Sequence, residues 1–110
     1  KSDRDLEYAD LYRADLKSFD LEGYDFYGAD LRGVNLFKAD LRYANFQDAN
    51  LEGSMGRKVY AVEASFSGAN LRMADLEYPT SKGLTLRELT FGVQILETQP
   101  CERLILFWLI

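Results

Sequence analysis

A large apolar residue returns at every fifth position of this 110-residue chain. It stands at Leu6, Leu11, Leu16, Leu21, Phe26, Leu31, Leu36, Leu41, Phe46 and Leu51, and it resumes in phase at Phe66, Leu71 and Leu76. Five matches neither the two-residue rhythm of a strand nor the 3.6-residue rhythm of a helix. Two positions before each of these centres stands a second apolar candidate, usually Ala, as at Ala9, Ala14, Ala29, Ala39, Ala44, Ala49, Ala64, Ala69 and Ala74. Asp or Asn nearly always separates the two, and the residues after the centre are mostly polar or Gly. Each pentad therefore offers two apolar residues to one face and then turns. A unit this short cannot bury its face alone, so it must stack.

A second period predicts how the pentads stack. Phe26, Phe46 and Phe66 are twenty residues apart, as are Ala9, Ala29, Ala49 and Ala69. Twenty is four pentads, so a four-sided coil sets each Phe on the next Phe. Coils paired through their backbones would repeat about every 4.8 Å, the strand spacing. Each would bury about four Leu or Phe side chains at roughly 1.5–3 kcal/mol apiece. The expected fold is all-β, a solenoid of about five four-sided coils closed by a short C-terminal segment.

The segments "ADLYR", "ADLRG", "ADLRY", "ANLEG", "ANLRM" and "ADLEY" resemble the repeats of the pentapeptide-repeat family, over about residues 4 to 78. The resemblance implies a right-handed quadrilateral parallel β-helix. It also implies that the centre and the residue two before it point inward.

The pattern predicts a solenoid over 1–98, irregular at 54–64 and 79–83, and an apolar cap over 99–110. In "SMGRKVYAVEA" the inward pairs become Ser54/Gly56 and Val59/Ala61. Gly56 then leaves a dent where Leu16, Leu36 and Leu76 stand, a void that costs stability unless a neighbour such as Met55 folds in. After "PTSKG", Leu84/Leu86 and Leu89/Phe91 fit two further pentads, while Leu86, Leu89, Val93 and Leu96 also fit a helical stripe. The closing "LILFWLI" is too short to span a bilayer. A cap over the last coil, a dimer contact and a truncated membrane segment all remain open for it.

Composition narrows the chemistry. The formal charge is −5 at pH 7 and the pI is about 4.7, whereas a nonspecific nucleic-acid binder should be basic. There is no His, and Cys101 is the single cysteine. That precludes an intrachain disulfide and the usual His/Cys metal sets. No cofactor and no metal are expected. Asp5, Asp10, Asp15, Asp20, Asp25, Asp30, Asp40 and Asp75 all directly precede a centre, where an Asp side chain holds turn backbone. Stacked carboxylates can bind calcium, but the turn role already accounts for these positions. No enzyme is expected. The polar N-terminus shows no signal peptide, so the expected location is cytoplasmic. Lys1 in place of an initiator Met suggests that something upstream has been lost.

Two functional readings follow. In the first, the protein is a rigid interaction module or scaffold. Coil placement puts Phe37, Lys38, Arg57 and Lys58 on one side, with Arg42, Tyr43 and Tyr60 on the next and Met55 leading into the corner between them. Such residues favour interface cores. The partner is a protein of unknown identity, with no direct nucleic-acid binding and no membrane span expected. A homodimer through the C-terminal segment or an uncapped coil end is a further expectation. The second reading comes from the resemblance. Quinolone-resistance members of that family mimic the shape and charge of duplex DNA and occupy the DNA groove of gyrase, a type II topoisomerase. Here Asp5, Asp10, Asp25 and Asp30 would form the acidic face. The chain departs from that pattern in its short rod, ~24 Å for five coils, in its modest charge, and in the outward Arg13, Lys17, Arg32, Lys38, Arg42, Arg57, Lys58 and Arg72.

Overall fold

The computed structural model describes residues 3–77, 93–98 and 103–108. Within 3–77 the backbone forms single bridges in place of long strands, one every five residues and each parallel to a partner twenty residues on. Four ladders result. Ladder 1 links Asp5, Asp25, Asn45 and Ser65; ladder 2 links Asp10, Asp30, Asn50 and Asn70. Ladder 3 links Asp15, Asn35, Met55 and Asp75; ladder 4 links Asp20, Asp40 and Tyr60.

Accounting for main-chain donors explains the repeat of five. In the pentad centred on Phe26, the Asp25 N–H donates down to the Arg4 carbonyl at 2.8 Å. The Phe26 and Gly28 N–H groups donate up to Asn45 and Gln47 at 2.7 and 3.0 Å, and the Ala29 N–H closes the turn on Phe26 at 3.0 Å. The remaining N–H, of Tyr27, donates to Asp25 Oδ1 at 3.0 Å. All five donors are thereby satisfied, as buried backbone requires. The same side-chain bond recurs at Asp5, Asp10, Asp15, Asp20, Asp30, Asn35, Asp40, Asn45, Asn50 and Asn70. This is why a short side-chain oxygen acceptor precedes nearly every centre.

The turn also demands a left-handed residue. The second residue after each centre has positive φ, from Tyr8 through Met73, and only five of these are Gly. Positive φ at the third residue of a four-residue turn belongs to type II. Non-Gly residues adopt it at a cost of order 1 kcal/mol or more, which the hydrogen bonds between coils offset at each level.

Inside, Phe26, Phe46 and Phe66 are fully buried and stack with centroids 4.8 and 5.0 Å apart and ring planes within 5°. Leu31, Leu41, Leu51 and Leu71 are buried with them, as are the Ala columns from Ala29 upward. In the first coil Leu6, Leu11, Ala14 and Leu16 are only partly buried against this core.

The stretch 54–64 keeps the ladders: Asn35 bridges Met55, Asp40 bridges Tyr60 and Asn45 bridges Ser65. The expected dent at Gly56 is filled, though not by Met55, which faces solvent at 49% exposure. Leu76 from the next coil takes the space, with Val59 beside it. Met55 occupies a bridge position, and backbone alternation sends a bridge residue outward when its neighbour Gly56 is buried.

Four short strands carry further pairing: β1 (Met55–Gly56), β2 (Asp75–Glu77), β3 (Val93–Thr98) and β4 (Arg103–Trp108). They form a sheet in the order β1-β2-β4-β3. β1 and β2 pair in parallel, as the coils do. β4 pairs antiparallel with β2, setting Leu76 opposite Leu104, and β3 pairs antiparallel with β4 across an irregularity between Ile95 and Glu97. Residues 93–98 were expected within the parallel coils; they form a six-residue strand that pairs antiparallel through five residues. The proposed pentads at 84–91 and the break at 79–83 lie outside the described residues.

Candidate interaction surface

The bridge position usually carries the Asp or Asn that holds its turn. Met55 and Tyr60 cannot do so, having no short side-chain acceptor. Both are large and exposed, at 49% and 45%. Each lines a hollow on the outside of the rod.

The first hollow, about 450 Å³, lies along ladder 3 and is lined by Asn35, Phe37, Met55, Arg57 and Asp75. Arg57 Nε donates to Asp75 Oδ2 at 3.1 Å across one coil step. The second, about 360 Å³, lies along ladder 4 and is lined by Ser18, Phe19, Asp20, Lys38, Asp40, Arg42 and Tyr60. Lys38 stands between the two, its ammonium 5.3 Å from the Phe37 ring centre. The Lys38 N–H donates to the Arg57 carbonyl at 3.0 Å, so the turn at 37–38 stacks directly on that at 57–58.

Of the eight residues proposed from sequence, Phe37, Met55 and Arg57 thus share one hollow, while Lys38, Arg42 and Tyr60 share the other. Tyr43 and Lys58 are exposed turn residues lining neither. Asn35, Asp75, Phe19 and Asp20 were not proposed. The twenty-residue register could have found Asn35 and Asp75, which flank Met55 in its own ladder. Phe19 stands where Ala39 and Val59 are buried in the coils above, yet it is 51% exposed.

Arg42 is not a free cation. It donates to Asp40 through Nε at 2.9 Å and Nη2 at 2.6 Å, and Nη2 also reaches Glu22 at 3.1 Å. Hydrogen bonding from this guanidinium holds the Asp40 carboxyl below its ordinary value, against an opposing effect of burial. Arg32 grips Asp30 likewise, at 2.8 and 2.7 Å, and lowers its pKa. Arg32 also lies 4.8 Å from the Tyr12 ring centre.

The alternative acidic face divides in the same way. Asp5 bridges Asp25 and Asp10 bridges Asp30, on neighbouring ladders. Asp25 accepts from Asn45 Nδ2 at 3.1 Å as well as from its own turn. Carboxylates of Asp5, Glu7 and Asp25 converge within 4.8 Å, as do those of Asp20, Glu22 and Asp40. Arg42 bonds two members of the second group. Among the described residues no helix is long and apolar enough to cross a membrane.

A family model for pentapeptide repeats, in eight copies, matches residues 25–55 and 44–77. No curated protein matches the sequence. Among solved structures the chain is similar to HetL, a pentapeptide repeat protein involved in heterocyst differentiation regulation from the cyanobacterium Nostoc sp. strain PCC 7120. The identity is 31% and the TM-score 0.64, over 66% of this chain and 34% of HetL. It is also similar to Rfr23, a pentapeptide repeat protein from the cyanobacterium Cyanothece 51142, at 31% identity and a TM-score of 0.48, over 79% of this chain and 49% of that one. The chain thus spans about a third of the length of HetL and half that of Rfr23.

Proposed function

Because this chain belongs to the pentapeptide-repeat family, whose members fold as right-handed β-helices and are generally non-enzymatic structural modules, we propose that it is a rigid, non-catalytic scaffold that presents an outer surface to a protein partner. In this reading the four ladders are the sides of a square rod, and the hollows along ladders 3 and 4 are the docking surface.

One observation carries the reading. The two bridge positions that abandon the turn-holding oxygen, Met55 and Tyr60, are exposed and each lines a hollow. A repeat under structural demand alone would keep Asp or Asn there. Large apolar side chains facing water at adjacent positions are characteristic of interfaces.

The test restores the repeat. A Met55→Asn/Tyr60→Asp variant regains two turn acceptors and should be at least as stable as the parent. Partners are captured on the parent protein, identified by mass spectrometry and titrated against both. The variant should bind its direct partner at least tenfold more weakly. Unchanged affinity would remove this surface from consideration.

The DNA-mimic reading draws on Asp5, Asp25 and Glu7, which gather on ladder 1. On ladder 2, however, Asp30 is held by Arg32, which reduces the charge available to a DNA-binding groove. Inhibition of gyrase supercoiling, lost on Asp25→Asn/Asp30→Asn, would favour the mimic over the scaffold.

A further inference from the structure

Charge is segregated across the rod. The outward charges on ladder 1 and its turns are Asp5, Glu7, Asp25 and Asp48, all acidic, with Arg4 at the border beside Gly23. Ladder 3 lies ten residues on, half a coil away. Through residue 75, its bridge and turn positions carry Asp15, Lys17, Lys38, Arg57, Lys58 and Asp75. Two of the four cations there are already paired. Lys17 lies 3.7 Å from Asp15 and Arg57 lies 3.1 Å from Asp75. Among the described residues, Lys38 and Lys58 make no ion pair. They occupy the same turn position one coil apart, so their stems emerge about 4.8 Å from each other. An acidic protein thus keeps two ammonium groups without ion pairs one coil apart, beside the hollow lined by Phe37, Met55 and Asp75, with Lys38 also lining the ladder 4 hollow that holds Asp20 and Asp40.

One further feature favours a ligand over a merely solvated face. Phe37 and Met55 are 36% and 49% exposed, so apolar surface sits directly beside the free charges. Lys38 and Lys58 also hold φ near 60°, which Lys adopts less readily than Gly. Seven other non-Gly residues hold the equivalent turn position with positive φ, so this backbone neither selects lysine nor excludes it. From these juxtaposed groups we infer that the ladder 3 hollow binds an acidic, apolar-containing segment of a protein partner, its carboxylates meeting Lys38 and Lys58 and its apolar side chain resting between Phe37 and Met55. The inference rests on the scaffold reading and specifies the chemistry of the partner. The opposite, acidic side would repel such a segment and thereby orient its approach.

Fluorescence anisotropy with defined probes tests it on the full chain. The probes are a labelled twelve-residue peptide of alternating Glu and Leu and its Lys and Leu counterpart. Unlabelled duplex DNA and vesicles containing anionic lipid serve as competitors. The acidic peptide should bind and the basic one should not bind ladder 3. Lys38→Glu/Lys58→Glu should weaken the acidic peptide at least tenfold. Lys38→Gly/Lys58→Gly, which suits the backbone and guards against misfolding, should weaken it severalfold. Glu7→Gln on the far side should leave it unchanged. Failure of the acidic peptide to bind, or equal binding to the Lys double variants, overturns the inference. Displacement by DNA or anionic vesicles at matched charge also overturns it, by showing a generic anion surface. If only the basic peptide binds, and Asp25→Asn abolishes that binding, the partner chemistry is wrong while the scaffold reading stands. The scaffold reading falls separately, through the Met55/Tyr60 variant.

Discussion

Leu76 occupies the space that a side chain on Gly56 would need: a Cβ built on Gly56 would lie 2.5 Å from Leu76 Cδ2. The small residue in one coil is thus matched by the large one in the next, and the column stays filled. Gly56→Ala should therefore destabilise the rod, by about 1–3 kcal/mol as for other overpacked cores, although Ala suits regular backbone better than Gly. Urea unfolding of the two proteins measures the difference. A stabilised variant would mean that Leu76 can leave this space at no cost.

The Phe stack supports the largest single-residue effect. Phe46 lies between Phe26 and Phe66 and is fully buried. Phe46→Ala should cost about 3–5 kcal/mol, and Gln47→Ala beside it less than about 0.5 kcal/mol. Comparable shifts in denaturant midpoint would contradict the inward and outward assignment.

Ser54 is buried at 1% exposure, and its hydroxyl finds no partner among the described residues. Its column otherwise holds Ala14, Val34 and Ala74. Ser54→Ala should raise stability by about 1 kcal/mol, by removing an unsatisfied buried polar group. Thermal melts of the purified pair check this.

Acid should weaken the rod through Asp40. Its carboxyl is held below the ordinary value of about 3.9 by Arg42. The folded state therefore prefers the ionised form more strongly than the unfolded chain does. The stabilisation is complete above the unfolded value and is lost as pH falls through the lowered folded one. Arg42→Met should be less stable than the parent at neutral pH. That gap should narrow as pH drops below about 4. A gap unchanged at about pH 2 would show that Arg42 acts through its packing and not through its charge.

β4 pairs with the outer edge of β2, and we propose that the apolar tail caps the last coil. Deleting Leu104 to Ile110 should then lower the melting temperature and promote aggregation through the bared edge. Sedimentation of the truncated chain checks this. A soluble monomer of undiminished stability would assign the tail to a dimer contact instead.

The five-residue and twenty-residue periods by themselves determined the coil. An inward side chain must meet its own kind one coil later, so the twenty-residue spacing alone sets Phe26, Phe46 and Phe66 in register. The turn role of Asp was legible for the same reason: its position relative to each centre is constant, and a short acceptor there serves only a nearby amide. Only the tertiary structure decided what fills the dent at Gly56. Leu76 is twenty residues away, and whether it or Met55 reaches the space depends on backbone direction and contact distance. It also decided which cations are free. Arg42 and Arg57 read in sequence as equivalent to Lys38 and Lys58, but guanidinium forks reach carboxylates in adjoining positions while the two ammonium groups do not. The antiparallel β3–β4 pairing was illegible because residues 93–108 carry no five-residue period, and pairing between distant segments is set by the edge they meet.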